Sequence, residues 1–258
     1  YKSNRDPKLE KDTSAFEKAC EKFEQKYRQT DYTSTPEKLA TAFKDSEAMQ
    51  EKFRVQMADS YLTFKTHLNA ADNESRALVT KLNQRLTKAS IRLTFFDLKI
   101  SHIPVKQQAK FLKHPALARY AYKLKRAWRQ AKYLLSEPEE QLVDLLDETS
   151  YNMWVDGQDK LLNQQEVDWR GKKMPINEAL ALISDLPLKP RRALYQKTVA
   201  KLKEVSHFAE AEINAVYNFK KVMDEKRGFA EPYSATVIAY ENEEATVDNL
   251  VSLVTKSF

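Results

Sequence analysis

An all-α, multi-helix protein with at most one small β-hairpin, near residues 165–174, is the fold this 258-residue sequence predicts. Three observations carry that prediction. The chain holds only three glycines, against a usual ~7%. Glycine supplies tight turns and positive-φ backbone, so sandwiches, barrels and Rossmann-type sheets are disfavoured. Apolar residues recur at three- and four-residue spacings over most of the length, and helix-starting and helix-stopping residues punctuate those runs.

Taken in order, residues 1–11 are polar and are expected to fray. Ser14-Ala15-Phe16-Glu17 reads as a capping box, after which Phe16, Cys20, Phe23 and Tyr27 share one helical face. Thr35-Pro36 supplies an N-cap followed by a proline in the first turn, where its missing N–H costs nothing. One helix is then expected through Leu39, Phe43, Phe53, Met57, Tyr61, Phe64 and Leu68, broken at Asp72-Asn73. A third runs from about Glu74 to Ser101 and stops before Pro104. A short helix follows at Val105–Lys113, and another at about Leu117–Leu135 places Tyr120, Leu124 and Trp128 on one side. Ser136-Glu137-Pro138-Glu139 is a second capping box, opening a helix through Leu142, Leu145 and Leu146.

Residues 155–175 interrupt the helical pattern. Glu166–Trp169 alternates, turns at Arg170-Gly171 and continues through Lys172-Lys173-Met174, which reads as a hairpin. Helix resumes after Pro187 and Pro190, with Leu194, Leu202, Val205, Ala209, Ile213, Val216 and Met223 as its expected buried face and Gly228 as its stop. Unbroken from Arg191 to Arg227, it would span about 55 Å. A final helix, Thr246–Ser257, is still apolar on one face at the last residues. The domain reading is a frayed 1–11, a helical lobe over 12–150 and a second helical segment over 151–258.

Hydrophobic residues make up 42% and charged residues 31%, with a mean hydropathy of −0.66. This composition supports a core and excludes a disordered chain. Without an apolar run near 18 residues or a signal peptide, no membrane partner and a cytoplasmic location are expected. The single cysteine, Cys20, reads as a buried hydrophobe rather than a reactive thiol.

No complete catalytic or metal site can be assembled from these residues. None of His67, His102, His114 and His207 belongs to a His-Glu-x-x-His pair, whose four-residue spacing would put two ligands on one helix face. Glu204-Val205-Ser206-His207 is half of a di-iron bundle motif with no second copy. Gly157, Gly171 and Gly228 build none of the phosphate- or nucleophile-binding loops.

One charge feature stands out. Residues 98–136 hold ten Lys/Arg and no Asp or Glu, while the whole chain has 43 and 37 and a net charge of +6. The rest of the chain is therefore net acidic. The tract can be a polyanion site whose aromatics stack on bases. It can instead be a basic cleft wall that steers carboxylate-ended peptides, or a solvated face with its aromatics turned inward. Helical spacing puts Tyr120, Leu124 and Trp128 on one side and Arg119, Lys123 and Arg126 on another, which fits buried aromatics better than base stacking. Arg119, Lys123, Arg126 and Arg129 are the candidate anion- or peptide-contacting residues.

The order of several stretches resembles the amino-terminal region of the oligoendopeptidase F family, zinc metallopeptidases related to thimet oligopeptidase. Leu134-Leu135-Ser136-Glu137-Pro138-Glu139-Glu140 is similar to the family's Leu-Ser-x-x-Glu-Glu element, and Lys226-Arg227-Gly228-Phe229 with Pro232 to its Lys-x-Arg-Gly-Tyr element. Leu186-Pro187 with Arg191-Arg192, and Leu93-Thr94-Phe95-Phe96 with Leu98 to Pro104, also fit. One departure is at Tyr133 or its neighbours, where many members carry a histidine before the Leu-Ser element.

The resemblance covers roughly residues 35–258. It implies an elongated helical lobe of a bowl-shaped, two-lobed oligopeptidase, with zinc deep in a channel that admits short unfolded peptides. It also implies that this chain forms part of the channel wall and packs on the C-terminal catalytic domain of the same polypeptide. The family's His-Glu-x-x-His helix and third glutamate ligand follow the matched region, so no catalytic or metal residue carries over. Alone, the chain is expected to hold no cofactor and to be inactive; the Tyr1 start and the end at Phe258 read as truncation. The competing expectation is a freestanding helical protein that uses the 98–136 tract to bind nucleic acid or an acidic partner.

Overall fold

A computed structural model describes residues 1–53, 56–69 and 72–257, with the side chains of Gln56 and His67 outside the described residues. The chain divides into two compact units: Tyr1–Thr63, Glu74–Leu145 and Lys221–Phe258 form the first, Phe64–Asn73 and Leu146–Lys220 the second.

The first unit starts with α1 (Pro7–Tyr27), which begins a full two turns ahead of the expected Ser14 start. Asp6 accepts from the Lys8 N–H as N-cap, and Pro7 occupies the first turn. Ser14 is instead inside the helix, its hydroxyl on Glu10. As expected, Thr35 caps α2 (Pro36–Lys52) by accepting from Lys38 N–H at 3.3 Å.

The single helix expected through Leu68 is interrupted: α2 ends at Lys52 and α3 covers Gln56–Leu68. Phe53 leaves helical geometry at φ −107°, ψ 76° and packs on the same core as Phe43, whereas α3 turns its apolar residues to a separate cluster. In α3 the buried residues are Ala58 and Leu62, packed with Leu82, whereas the expected Met57, Phe64 and Leu68 are exposed.

The expected helix ending at Ser101 also divides. α4 (Asn73–Ser90) passes through a 3₁₀ turn at Ile91–Leu93 into α5 (Thr94–Ser101). Thr94 donates its hydroxyl to the Ile91 carbonyl at 2.8 Å and holds that turn. α6 (Val105–Lys113) matches its expected span. A 3₁₀ segment at Pro115–Tyr120, α7 (Ala121–Gln130) and a 3₁₀ turn at Ala131–Tyr133 replace the uniform helix read over 117–135.

Aromatic rings fill the core of this unit. Phe96 lies edge-on to Phe23 with centroids 5.1 Å apart and stacks on Tyr32 at 5.0 Å; Phe43 stacks on Tyr120 at 4.5 Å. Four elements, α1, α2, α5 and the segment leading into α7, are thereby joined through side chains that are almost wholly buried. Cys20 is buried beside this core, and burial pushes its thiol up to about 11, so it remains protonated at neutral pH.

The second half of the chain begins with α8 (Glu137–Asp147), a π-helical turn at Glu148–Asn152 and α9 (Met153–Asn163). The expected hairpin is present: β1 (Glu166–Trp169) pairs antiparallel with β2 (Lys172–Pro175), Val167 opposite Met174. Arg170 and Gly171 both have positive φ, 54° and 77°, as a two-residue type I′ turn requires. Val167 then packs with Ile176 and Ala179 of α10 (Ile176–Ile183) and Leu194 of α11 (Leu188–Glu204).

The long helix after Pro190 does not run unbroken. α11 stops at Glu204 and α12 (Ser206–Arg227) starts two residues later. Val205 leaves helical geometry at φ −105°, ψ 7°, and Ser206 donates to the Lys203 carbonyl at 2.8 Å. Of the buried face expected along this stretch, Leu194 is buried and Ile213 is exposed. Two short helices complete the chain, α13 (Ser234–Ala239) and α14 (Glu244–Ser257).

Candidate functional site

The basic tract occupies α5 to α7, all in the first unit. Its aromatic residues are mostly turned inward. Phe111 and Tyr120 are buried, and Trp128 donates its indole N–H to the Ile100 carbonyl at 3.1 Å. Tyr133 stacks on Phe229 at 4.2 Å. Tyr122, 61% exposed, is the member of the set that faces solvent.

The four candidate cations fall into two classes. Arg119 approaches both oxygens of Glu47, at 2.9 and 3.0 Å, and the Tyr120 hydroxyl donates to the same carboxylate at 2.8 Å. Burial and that acceptor hold the Tyr120 hydroxyl above its usual range. Arg129 donates to the Asn242 carbonyl at 2.9 Å. These two arginines join elements of the fold.

Lys123 and Arg126 are held more loosely. Lys123 lies 4.0 Å from Asp97 and 5.0 Å above the Phe43 ring. Arg126 lies 3.5 Å from Glu241. Both distances exceed those of a direct charge-assisted hydrogen bond, and both side chains are about half exposed. These two residues line a groove of about 570 Å³ whose wall also includes Leu93, Leu98, Ala127 and Leu134. Polar and charged side chains, among them Ser90, Thr94, Asp97, Ser101 and Gln130, make up the rest of the wall, so the groove presents charge as well as apolar surface.

One end of the groove is fixed by an ion pair that links two of the stretches carrying the family resemblance. Glu140 accepts from Arg227 in a bidentate arrangement, at 2.6 and 2.7 Å, and from the Leu135 N–H at 2.8 Å. Arg227 also donates to the Tyr133 carbonyl at 3.1 Å. Burial works against ionisation of Glu140. The Arg227 hydrogen bonds, the Leu135 N–H and the Arg227 charge outweigh it and hold the carboxyl below its usual range.

Local chemistry delivers both partners. Ser136 donates N–H and hydroxyl to Glu139, at 2.9 and 2.6 Å, so the expected capping box sets the start of α8 and points Glu140 inward. At the other side Gly228 has φ 74°. Its N–H donates to Glu225 and the Phe229 N–H to Asp224, which closes α12 in a Schellman turn and lays Phe229 on Tyr133. Nothing lies within 4 Å of a Cβ added at Gly228. Gly228→Ala is therefore expected to cost about 1 kcal/mol through backbone conformation alone, read as a small shift of the denaturant midpoint with an unchanged slope.

A metal centre is not built from these residues. Among the described residues no three His, Cys, Asp or Glu side chains converge as a metal site. His102 Nδ1 lies 2.6 Å from the Leu98 carbonyl, and His114 Nε2 lies 2.8 Å from Glu37.

Residues 99–164 match the family model described as Oligopeptidase F. No curated protein matches the chain in a sequence search. Among solved structures, the chain is similar to oligoendopeptidase-F from Enterococcus faecium, with a TM-score of 0.77 and 14% identity over 97% of this chain and 50% of that one. It is also similar to a protein assigned as a peptidase from Chlamydophila abortus, with a TM-score of 0.57 and 15% identity over 90% of this chain and 39% of that one. The chain spans half the length of the first structure. The all-α fold and the resemblance read from the sequence are both borne out.

Proposed function

We propose that this chain is the non-catalytic amino-terminal portion of a zinc-dependent oligoendopeptidase that hydrolyses short peptides, and that it contributes part of the wall of the substrate channel. The match of residues 99–164 to the oligopeptidase F model carries this reading. The fold likeness that reaches 97% of this chain but only half of its counterpart supports it. In this reading the zinc ligands and the general base come from polypeptide outside these residues. What this chain supplies is shape and charge: the aromatic core holds α5 and α7, and those helices present the groove with Lys123 and Arg126 on its side.

Reading the coding sequence past Phe258 tests the proposal. A His-Glu-x-x-His motif is expected within about one further domain length, and its absence over that distance would overturn the reading. The longer polypeptide is expected to cleave quenched short peptides in a chelator-sensitive manner, while residues 1–258 alone with added zinc do not.

The inward aromatics and the carboxylate partners of Arg119, Lys123 and Arg126 do not favour a nucleic-acid role. The chain is accordingly expected to show no saturable binding to single-stranded oligonucleotides at low salt. Tight binding with a steep log–log salt dependence would contradict that expectation.

A further inference from the structure

The groove beside α7 is polarised along its length. Lys123 and Arg126 stand in the first two turns of α7, and Gln130 is its last residue. From Lys123 to Gln130 the helix rises about 10 Å. Beyond Gln130, Leu134 continues the groove, and the turn into α8 brings Glu140 and Asp144 to that far end. Glu140 is neutralised by the bidentate Arg227 pair. Asp144 is one helical turn further along α8; it already has a partner, and a ligand ammonium would share its carboxylate, which offers about four acceptor sites. Leu93, Leu98 and Ala127 supply apolar surface beside these charged groups.

A short peptide with free termini has the matching pattern: a carboxylate at one end, an ammonium at the other and apolar side chains between. Three extended residues span about 10 Å. We propose that this groove binds a short zwitterionic peptide by both ends, its carboxylate bridging Lys123 and Arg126, its amino group on Asp144, and its side chains against Leu93, Leu98 and Leu134. The loose contacts of Lys123 to Asp97 and of Arg126 to Glu241 fit this role, since one ligand carboxylate between the two cations makes shorter, stronger hydrogen bonds than either cation has now. Arg119 and Arg129, already at hydrogen-bond distance from Glu47 and Asn242, take no part. The inference rests on the reading that short peptides are the ligands of the parent enzyme. It adds a non-catalytic subsite that holds a short peptide by both ends.

Titration of residues 1–258 with the tripeptide Ala-Leu-Ala, followed by calorimetry or by amide shifts of α5 and α7, tests the inference. Acetylating the amino end or amidating the carboxyl end is expected to weaken binding about tenfold each. Arg126→Gln is expected to weaken the free tripeptide about tenfold while leaving the amidated one unchanged, and Asp144→Asn to do the same for the free and the acetylated forms respectively. Both are surface changes, and unaltered amide exchange of α5 and α7 verifies the fold. Equal binding of free and blocked peptides would overturn the inference, as would no binding in the millimolar range at low salt. Either result leaves the oligoendopeptidase reading standing if the longer polypeptide cleaves peptides. Loss of that cleavage with end-dependent binding intact would instead remove the parent-enzyme reading and keep the subsite.

Discussion

Phe43→Ala is expected to destabilise the first unit by about 4 kcal/mol, the cost of deleting a buried aromatic ring and leaving its cavity. Phe43 is 1% exposed and stacks on Tyr120 at 4.5 Å, with Phe96 edge-on at 6.2 Å and the Lys123 ammonium above its outer face. The neighbours are themselves rings packed against one another, so the site cannot collapse around the missing atoms. The control Phe43→Leu restores most of the volume and is expected to cost about 1.5 kcal/mol. Because the chain has two compact units, a single melting curve is a poor reporter. Native-state hydrogen exchange resolves the units: amides of α2 and α7 are expected to exchange about a thousandfold faster in Phe43→Ala, while those of α10 and α11 are unchanged. A loss below about 1 kcal/mol would show that α2 is not part of the cooperative core.

How far such effects could be anticipated from the sequence depends on the range of the interaction. Thr35-Pro36, Ser136 with Glu139, and Gly228 were all legible, because a cap is decided by residues within one turn. The hairpin was legible for the same reason, through its Arg170-Gly171 turn. The interruptions of the long helices were harder. Phe53 and Met57 continue an apolar pattern, yet the helix breaks at Phe53, and α3 packs Ala58 and Leu62 in a separate cluster. Val205, a helix-compatible residue in an apolar series, is where α11 ends.

In the basic tract, helical spacing correctly turned Tyr120 and Trp128 inward. What it could not supply were the partners Glu47, Asp97 and Glu241, which come from other elements. The division between committed arginines and loosely held cations therefore appears only in three dimensions. The groove was invisible for the same reason, since its walls join α5, α7 and α8.

The Glu140–Arg227 pair is the long-range contact with the largest expected single-residue effect on the site. The partners are 87 residues apart, and each was recognisable only as part of a short motif. With side chains 13% and 21% exposed, removal of one partner leaves the other largely desolvated. Arg227→Ala is expected to cost about 3 kcal/mol and to loosen the acidic end of the groove, seen as faster exchange of the Leu135 amide. Replacing both by apolar residues, Arg227→Met with Glu140→Leu, is expected to recover most of that loss, because much of it is the buried unpaired carboxylate.

The pH dependence distinguishes this account from simple loss of packing. In the wild type Glu140 has a folded pKa below its unfolded value of about 4.3. Its contribution is therefore present above that pH and is lost as pH falls through the folded pKa. In Arg227→Ala the burial that opposes ionisation is no longer outweighed, so the folded pKa moves above the unfolded one. The variant then loses stability as pH rises through the carboxylate range, where the wild type gains it. The stability gap between the two is expected to be widest near neutral pH and to narrow as pH falls from the variant's raised folded pKa, above ~4.3, to the wild type's lowered one, below it. A gap that stays constant from neutral pH through that range would assign the loss to the arginine's packing instead of to its charge.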